Sequence, residues 1–443
     1  MPSRHARIPL LALVAGLVVG GFAATASPAD AVTPPGGIGH QDQSYAPLSG
    51  SITGTKPESK LWYDHGAWWA VMGHGSELSI WRLDRGTETW IDTGTIVEAR
   101  TAGDYRADAL AEDDGSVTIA THLFINAGHG VIPPQANPAT GARLTRYAYD
   151  ASTDEYLPAP GFSPAAINDV RTETLVVDRD STGALWATWT YGLQAWFSHT
   201  TAGNDAVWSQ PQVVPGAGSL DSDDVSSIVH FDVDRIGIMV SNQMDKKVHF
   251  AIHEDGVSDL IWSSEIVPTG VTADDHINLK ADGDGRVFAA IKTSEDVASQ
   301  PLVLLAVRSE AGTWTTDRFG TVSDSHTRPI VLLDESHDLV HMYATDSQTG
   351  GDIVEKTTSM DNPDFAAGVG TSVIHDPTGP DLNDATSTKQ NVDPATGIVV
   401  LADNDATKTY WHLDETLGAV PLTARFRTGA TTGTAPLSVK FSD

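Results

Sequence analysis

Seven related segments run along this chain, and their repetition limits the fold more than any other feature. Each starts at a polar or charged residue, passes through a short strand pattern into an Asp/Gly turn, and continues as an alternating apolar strand. The copies are Lys60-LWYDHGAWWAVM, Arg106-ADALAEDDGSVTIATH, Glu173-TLVVDRDSTGALWATW, Ser226-SIVHFDVDRIGIMVS, Asn278-LKADGDGRVFAAIK, Thr327-RPIVLLDESHDLVHMYAT and Lys389-QNVDPATGIVVLA. Their turns fall near Asp64, Asp113, Asp178, Asp232, Asp282, Asp334 and Asp393, roughly 50 to 65 residues apart, which is about the span of one propeller blade.

A second pair of strand patterns follows most copies, as in LSIWRLDRGTETWIDTG and LVLLAVRSEAGTWTTDRFG. Val, Ile, Thr and Trp suit a pleated, half-buried surface, the Asp/Gly turns supply tight reversals, and no segment sustains a helical period. Four strands per unit and seven units predict an all-β chain folded as a seven-bladed β-propeller over residues 56–417. A pair of β-sandwiches is the rival, but it gives no reason to repeat a four-strand unit seven times.

The ends read differently. Arg4 and Arg7 precede an apolar run from Leu10 to Ala24, and Ala29-Asp30-Ala31 matches an A-x-A cleavage site, so residues 1–31 are expected to be a signal peptide and the protein secreted and extracellular. An uncleaved anchor would need about 20 apolar residues, more than this run offers, and no membrane insertion is expected after cleavage. Residues 32–55, rich in Pro, Gly, Ser and Thr, read as a linker. With no cysteine, the body must hold together through a large core, as an exported monomer without disulfide staples.

From Pro421 the sequence LTARFRTGATTGTAPLSVKFSD resembles the opening strands of a polycystic-kidney-disease-type (PKD) immunoglobulin-like module, matched most closely over Gly433–Asp443. Such a module needs about 80 to 100 residues, so residues 418–443 read as its truncated start. The repeats themselves resemble the sialidase/BNR-like propeller superfamily, and the uncharacterised propeller-plus-PKD proteins secreted by actinobacteria. Degenerate relatives of that superfamily's Asp-boxes stand at Asp84-Arg85-Gly86-Thr87-Glu88-Thr89-Trp90 and Ser309-Glu310-Ala311-Gly312-Thr313-Trp314. The Arg-Ile-Pro motif and the Tyr/Glu nucleophile pair of sialidases have no counterpart, so no catalytic residue transfers. The resemblance implies an extracellular polymer as partner.

Propeller ligands meet the axial mouth, where the innermost strands begin. Reading round the ring, the residues there are Lys56, Glu58 and Lys60; Arg100, Arg106 and Asp108; Arg171 and Glu173; Asp223 and Asp224; Asp274, Asp275 and His276; His326 and Arg328; and Lys389. The chain holds 27 Lys+Arg against 58 Asp+Glu, a net charge of −31, which argues against nucleic acid as a partner. Gathering bases at one mouth against that background points to an anion, and a uronic or sialic acid of a glycan matches the guanidinium fork. Lys60, Arg106, Arg171, Arg328 and Lys389 are the candidate ligand-binding residues. Mutual pairing of these acids and bases, tying blades together, is the competing reading.

For catalysis, Glu173 with Asp223, Asp224 or Asp275 would supply the two carboxylates of a glycoside hydrolase. A uronate lyase would use His276 or His326 as base, with Tyr105 as acid and Arg106 or Arg328 on the sugar carboxylate. No zinc-type spacing occurs, His122, His129 and His230 are scattered, and the Asp282-Gly283-Asp284-Gly285 run reads as a turn. No metal site or cofactor is expected, calcium on paired acids such as Asp223-Asp224 being the exception the charge allows. The expected function is recognition of an extracellular, acidic glycan, with cleavage by a hydrolase or lyase as the alternative.

Overall fold

The computed structural model describes residues 39–48, 52–54, 56–100, 104–125, 137–270, 272–379, 381–419, 427–428 and 441–442. Among them, seven antiparallel sheets of four or five strands form the blades of a propeller, and the one helical element is the short turn Val322–Asp324. The innermost strands of blades 1 to 7 are Leu61–Asp64, Tyr105–Ala111, Leu175–Arg179, Ser226–Phe231, Ala273–Ala281, Thr327–Asp334 and Leu382–Thr386. A parallel bridge between Leu61 and Thr388 links the seventh to the first.

Second strands such as Ala67–His74 and Ser116–Leu123 are buried at nearly every position because both faces of each sheet pack against neighbouring blades. Trp62 and Trp69 of blade 1 meet Tyr156 of blade 2 edge-on at 5.5 and 5.0 Å. An indole hides about 200 Å² and contributes roughly 5 kcal/mol of gross hydrophobic free energy before entropy is counted. Trp62, Trp68, Trp69, Trp186 and Trp189 are all buried in this way. They cannot serve as exposed sugar platforms.

Innermost strands present an unpaired backbone edge to the axis, and short acidic or amide side chains cover it. Asp108 of blade 2 accepts from Val177 N of blade 3 and from Ser59 N, both at 2.8 Å. Asp178 of blade 3 accepts from His230 N of blade 4 at 2.7 Å, and Asn278 of blade 5 from Val331 N of blade 6 at 3.1 Å. The repeated acids of the sequence are thus partly blade-to-blade ties.

Two readings of the sequence change. The stretch taken as linker, 32–55, contains a strand: His40–Ser44 pairs antiparallel with Thr409–Glu415 as the outermost strand of blade 7. Ring closure demands it, since the chain's own last stretch supplies only three strands to that blade. The seventh innermost strand also lies upstream of Lys389, because a bulge between Asn383 and Thr386 hides its alternation. The expected signal peptide lies outside the described residues. So does most of the expected PKD start, of which only the pairing of Arg427–Thr428 with Phe441–Ser442 is described.

Candidate functional site

The axial mouth is built by irregular backbone. In blades 5, 6 and 7 the innermost strand is bulged just inside the mouth, between Ala273 and Ile277, Thr327 and Ile330, and Asn383 and Thr386. A bulge re-aims side chains. Those turned here are Asp274, Asp275 and His276, then Arg328, then Asp384. Arg328 and Asp384 adopt φ of 51° and 52°, a left-handed conformation that costs a non-glycine residue about 1 kcal/mol or more.

Residues 56–60 lie across this mouth and stitch it. Lys56 Nζ donates to Glu173 Oε1 at 2.8 Å and to Asp275 Oδ2, joining blades 3 and 5. Burial disfavours the ammonium, but the charges of Asp275 and Glu173 outweigh it and hold the proton more tightly than usual. Burial raises Glu173 more than Lys56 lowers it. Asp275 moves the other way, because His276 and Lys56 together overcome its burial.

Glu58 is buried between Lys60 Nζ and His122 Nε2, each 2.6 Å away, and accepts from Leu175 N at 2.9 Å. Burial would raise its carboxyl, but Lys60 and His122 prevail and bring it down to about 2. Lys389 contacts Asp108 at 3.0 Å, and Arg328 contacts Asp384 at 2.8 Å. Of the candidate ligand-binding bases, Lys60, Arg328 and Lys389 are therefore engaged by carboxylates.

Arg106 and Arg171 differ. Neither forms an ion pair among the described residues, the charge of Arg106 acting only at longer range on buried Asp403. Arg106 Nη1 donates to Tyr105 O at 3.1 Å and its guanidinium lies 4.9 Å from the Phe124 ring centroid, while Arg171 Nη2 donates to Phe124 O at 3.0 Å. Arg106 is only 2% exposed. The Nε atoms of both arginines and the Tyr105 hydroxyl are buried without a hydrogen-bond partner. The two arginines meet at Phe124, at the tops of blades 2 and 3, and form the electropositive part of the mouth, while the Tyr105 ring lies against Arg100.

The candidate catalytic residues separate. Glu173 and Asp275 come together with Asp223, their carboxylate oxygens within 4.8 Å of one another. His276 Nδ1 lies 2.8 Å from Asp274 Oδ1 and also contacts Asp275, leaving a buried Nε2 without a partner. Asp224 turns away from Asp223 and accepts from Asp221 N and Gln243 N at 2.7 and 3.1 Å. Burial raises it to about 7. His326 leaves the mouth altogether: its Nε2 meets Val369 O at 2.7 Å and its ring packs on Phe319 of blade 5's outer strand. A cavity of about 10 Å³ beside Glu173, room for roughly one water, adjoins Thr172 and Tyr191.

The carboxylates of Glu173, Asp223 and Asp275 suit a hard cation by chemistry. Lys56, bonded to two of them, already supplies positive charge there. The Asp223-Asp224 pair does not converge. Sequence reasoning gave no weight to His122 or Asp384: the first ends a second strand, where no repeat signal points, and the second is set by a bulge.

No protein-family model and no curated protein matches the sequence. Among solved structures, the chain is similar to a PL25 ulvan lyase bound to -[GlcA(1-4)Rha3S]-, at 9% identity over 86% of this chain and 97% of that one, with a TM-score of 0.53. It is also similar to the polysaccharide lyase Uly1, at 12% identity, 81% and 90% coverage and a TM-score of 0.44. A Penicillium chrysogenum α-L-arabinanase complexed with arabinobiose matches at 9% identity, 74% and 99% coverage and a TM-score of 0.43. What this chain shares with the ulvan lyase is the seven-bladed propeller fold.

Proposed function

We propose that this protein is an exported glycan-binding propeller that holds an acidic sugar of an extracellular polysaccharide at its axial mouth, through Arg106 and Arg171. The observation that carries the reading is the pair of guanidiniums that meet at Phe124, each with a buried Nε that has no hydrogen-bond partner and neither in an ion pair among the described residues. A guanidinium withdrawn from water without an anion is costly, and a ligand carboxylate or sulfate would supply the missing acceptors. Elsewhere in the mouth Lys56, Lys60, Arg328 and Lys389 are each engaged by carboxylates, which leaves Arg106 and Arg171 as the bases to meet an anionic ligand. The ulvan lyase that shares the fold is bound to a uronate-bearing glycan, which agrees with this class of partner.

A second reading, cleavage, rests on one specific feature. Glu173 and Asp275 lie close together with their acidities pushed apart, as an acid and its partner carboxylate require. The two readings part in one experiment. Purified protein is passed over immobilised uronate-bearing and neutral polysaccharides while reducing ends and the ultraviolet absorbance of unsaturated uronate are followed. We expect retention on the acidic polymer only, weakened about tenfold or more by Arg106→Ala or Arg171→Ala and by added salt, with no product. Equal retention on both polymers, or indifference to both substitutions, overturns the proposal. Product that vanishes in Glu173→Gln would establish cleavage instead.

A further inference from the structure

The face of the propeller opposite the mouth carries its own concavity. The first turns of blades 1 and 2, at residues 64–67 and 112–116, meet strand Arg143–Asp150 and the run 159–162 around a cleft of about 480 Å³. That size is in the usual range for a small-molecule site.

The cleft has an aromatic side and a polar side. His65 lies flat on Tyr149, with ring centroids 3.7 Å apart and planes 15° apart. Backbone geometry is spent to bring the two together. His65 has φ of 50°, and Gly115, at φ 77°, approaches so closely that a Cβ there would fall 2.9 Å from His65 Cε1. Asp64 fixes the imidazole: its Oδ2 lies 2.9 Å from His65 Nδ1 and accepts the Tyr156 hydroxyl at 2.6 Å.

On the polar side stands Arg146, which donates to Ser116 Oγ at 3.1 Å and pairs with Asp114 and, at 3.6 Å, with Asp205. The guanidinium is held in one orientation, and Asp114 remains 60% exposed at its side chain. Phe162 adds a second apolar surface. An oriented aromatic pair beside a fixed fork of donors and an exposed carboxylate matches the two-sided chemistry of a sugar ring, whose C–H face is apolar and whose edge carries hydroxyls.

We propose that this cleft is a second carbohydrate site, independent of the mouth, which takes a neutral pyranose unit of a polysaccharide. The choice of a neutral unit follows from charge. Asp114 and Asp205 pair with Arg146 and Asp64 lies against His65, so a uronate would meet the carboxylates that already hold the donors, while hydroxyls find both donors and acceptors. With the mouth reading an acidic residue on the other face, one molecule would engage two chains or two stretches of one chain.

Titration calorimetry with cellohexaose, xylohexaose, mannohexaose and maltohexaose, and with trigalacturonate in parallel, tests the site. At least one neutral hexaose is expected to bind, with affinity reduced about tenfold or more by His65→Ala and by Arg146→Ala and unchanged by Arg106→Ala. His65 sits on an exposed turn, so its replacement leaves the fold intact where Tyr149→Ala would not. Trigalacturonate binding, if the mouth proposal holds, is untouched by His65→Ala, and its absence would count against the mouth alone. Failure of all four neutral hexaoses to bind, or binding indifferent to both His65→Ala and Arg146→Ala, overturns the second site.

Discussion

Replacing Lys56 by methionine keeps the length and apolar stem of the side chain and removes the charge that joins Glu173 to Asp275. Their oxygens lie within 4.8 Å. At an effective dielectric of about 20, two carboxylates at that separation repel by about 3.5 kcal/mol before the contact of His276 with Asp275 is counted. That sum is in the range of about 3 to 5 kcal/mol seen when one partner of a buried pair is removed. Protonation offers relief. In the variant the pair's pKa is raised above the unfolded carboxylate value of about 4, so the folded chain holds a proton the unfolded chain lacks. Its stability therefore falls as pH rises through the raised value. In the native protein Asp275 is depressed, and its contribution is present above the unfolded value and lost only as pH drops through the folded one. The variant should accordingly lose roughly 3 to 4 kcal/mol at about pH 7.5 and only about 1 to 2 kcal/mol at about pH 5. For roughly 380 folded residues the unfolding entropy is about 0.8 kcal/mol/K, so calorimetry should record a fall in Tm of about 4 to 5 °C at the higher pH. A loss under about 1 kcal/mol at about pH 7.5, or one that does not shrink with acid, would refute the assignment of Lys56 as the clamp of the mouth.

Two further substitutions probe the same physics elsewhere. Lys280, buried below the mouth and bonded to Thr388 O, is brought down to about 7 by burial and by Lys389. A depressed base contributes stability that is lost as pH falls through its folded pKa, so Lys280→Met should gain on the native protein by a few kcal/mol below about pH 7. The gain should fade toward about pH 10, and denaturant midpoints across that range check it. At the ring closure, His412 meets Asp42 at 2.7 Å and Glu88 at 3.2 Å, and these acids overcome its burial and raise it. A raised histidine stabilises fully below its unfolded value and loses that effect as pH rises through the folded one. His412→Gln should thus cost about 3 kcal/mol at about pH 6 and less at about pH 8.5, read by the same unfolding curves.

The number and order of blades were legible because each repeat states its own geometry. A turn such as Asp282-Gly283-Asp284-Gly285 reverses the chain through its own side chain, Asp282 accepting from Asp284 N and Arg286 N, and apolar alternation on either side marks the strands. His40–Ser44 was not legible. Its sequence HQDQS carries no apolar period, and its partner is remote. The mouth was legible as a collection of charges but not as a set of pairs. Asp223 and Asp224 are neighbours in sequence, yet one joins Glu173 and the other caps a loop, since they lie in a turn closed by Asp224 N on Asp221 O. Bulges hid the rest: without the irregular register near Arg328 and Asp384, nothing in the spacing says that these two residues meet.

The closing strand also sets a timetable for folding. It leaves the ribosome early, while His412, the partner of Asp42, lies 370 residues further on. At about 5 to 20 residues per second, roughly 20 to 75 s of synthesis separates the two. Throughout that interval the strand is an open edge that could template association with another chain. Its composition suits the wait: His, Gln, Asp, Gln and Ser offer a solvated ribbon with little reason to stick. The polarity that concealed this strand from a reading of hydrophobic pattern is what lets the nascent chain keep its clasp unfastened until the ring is complete.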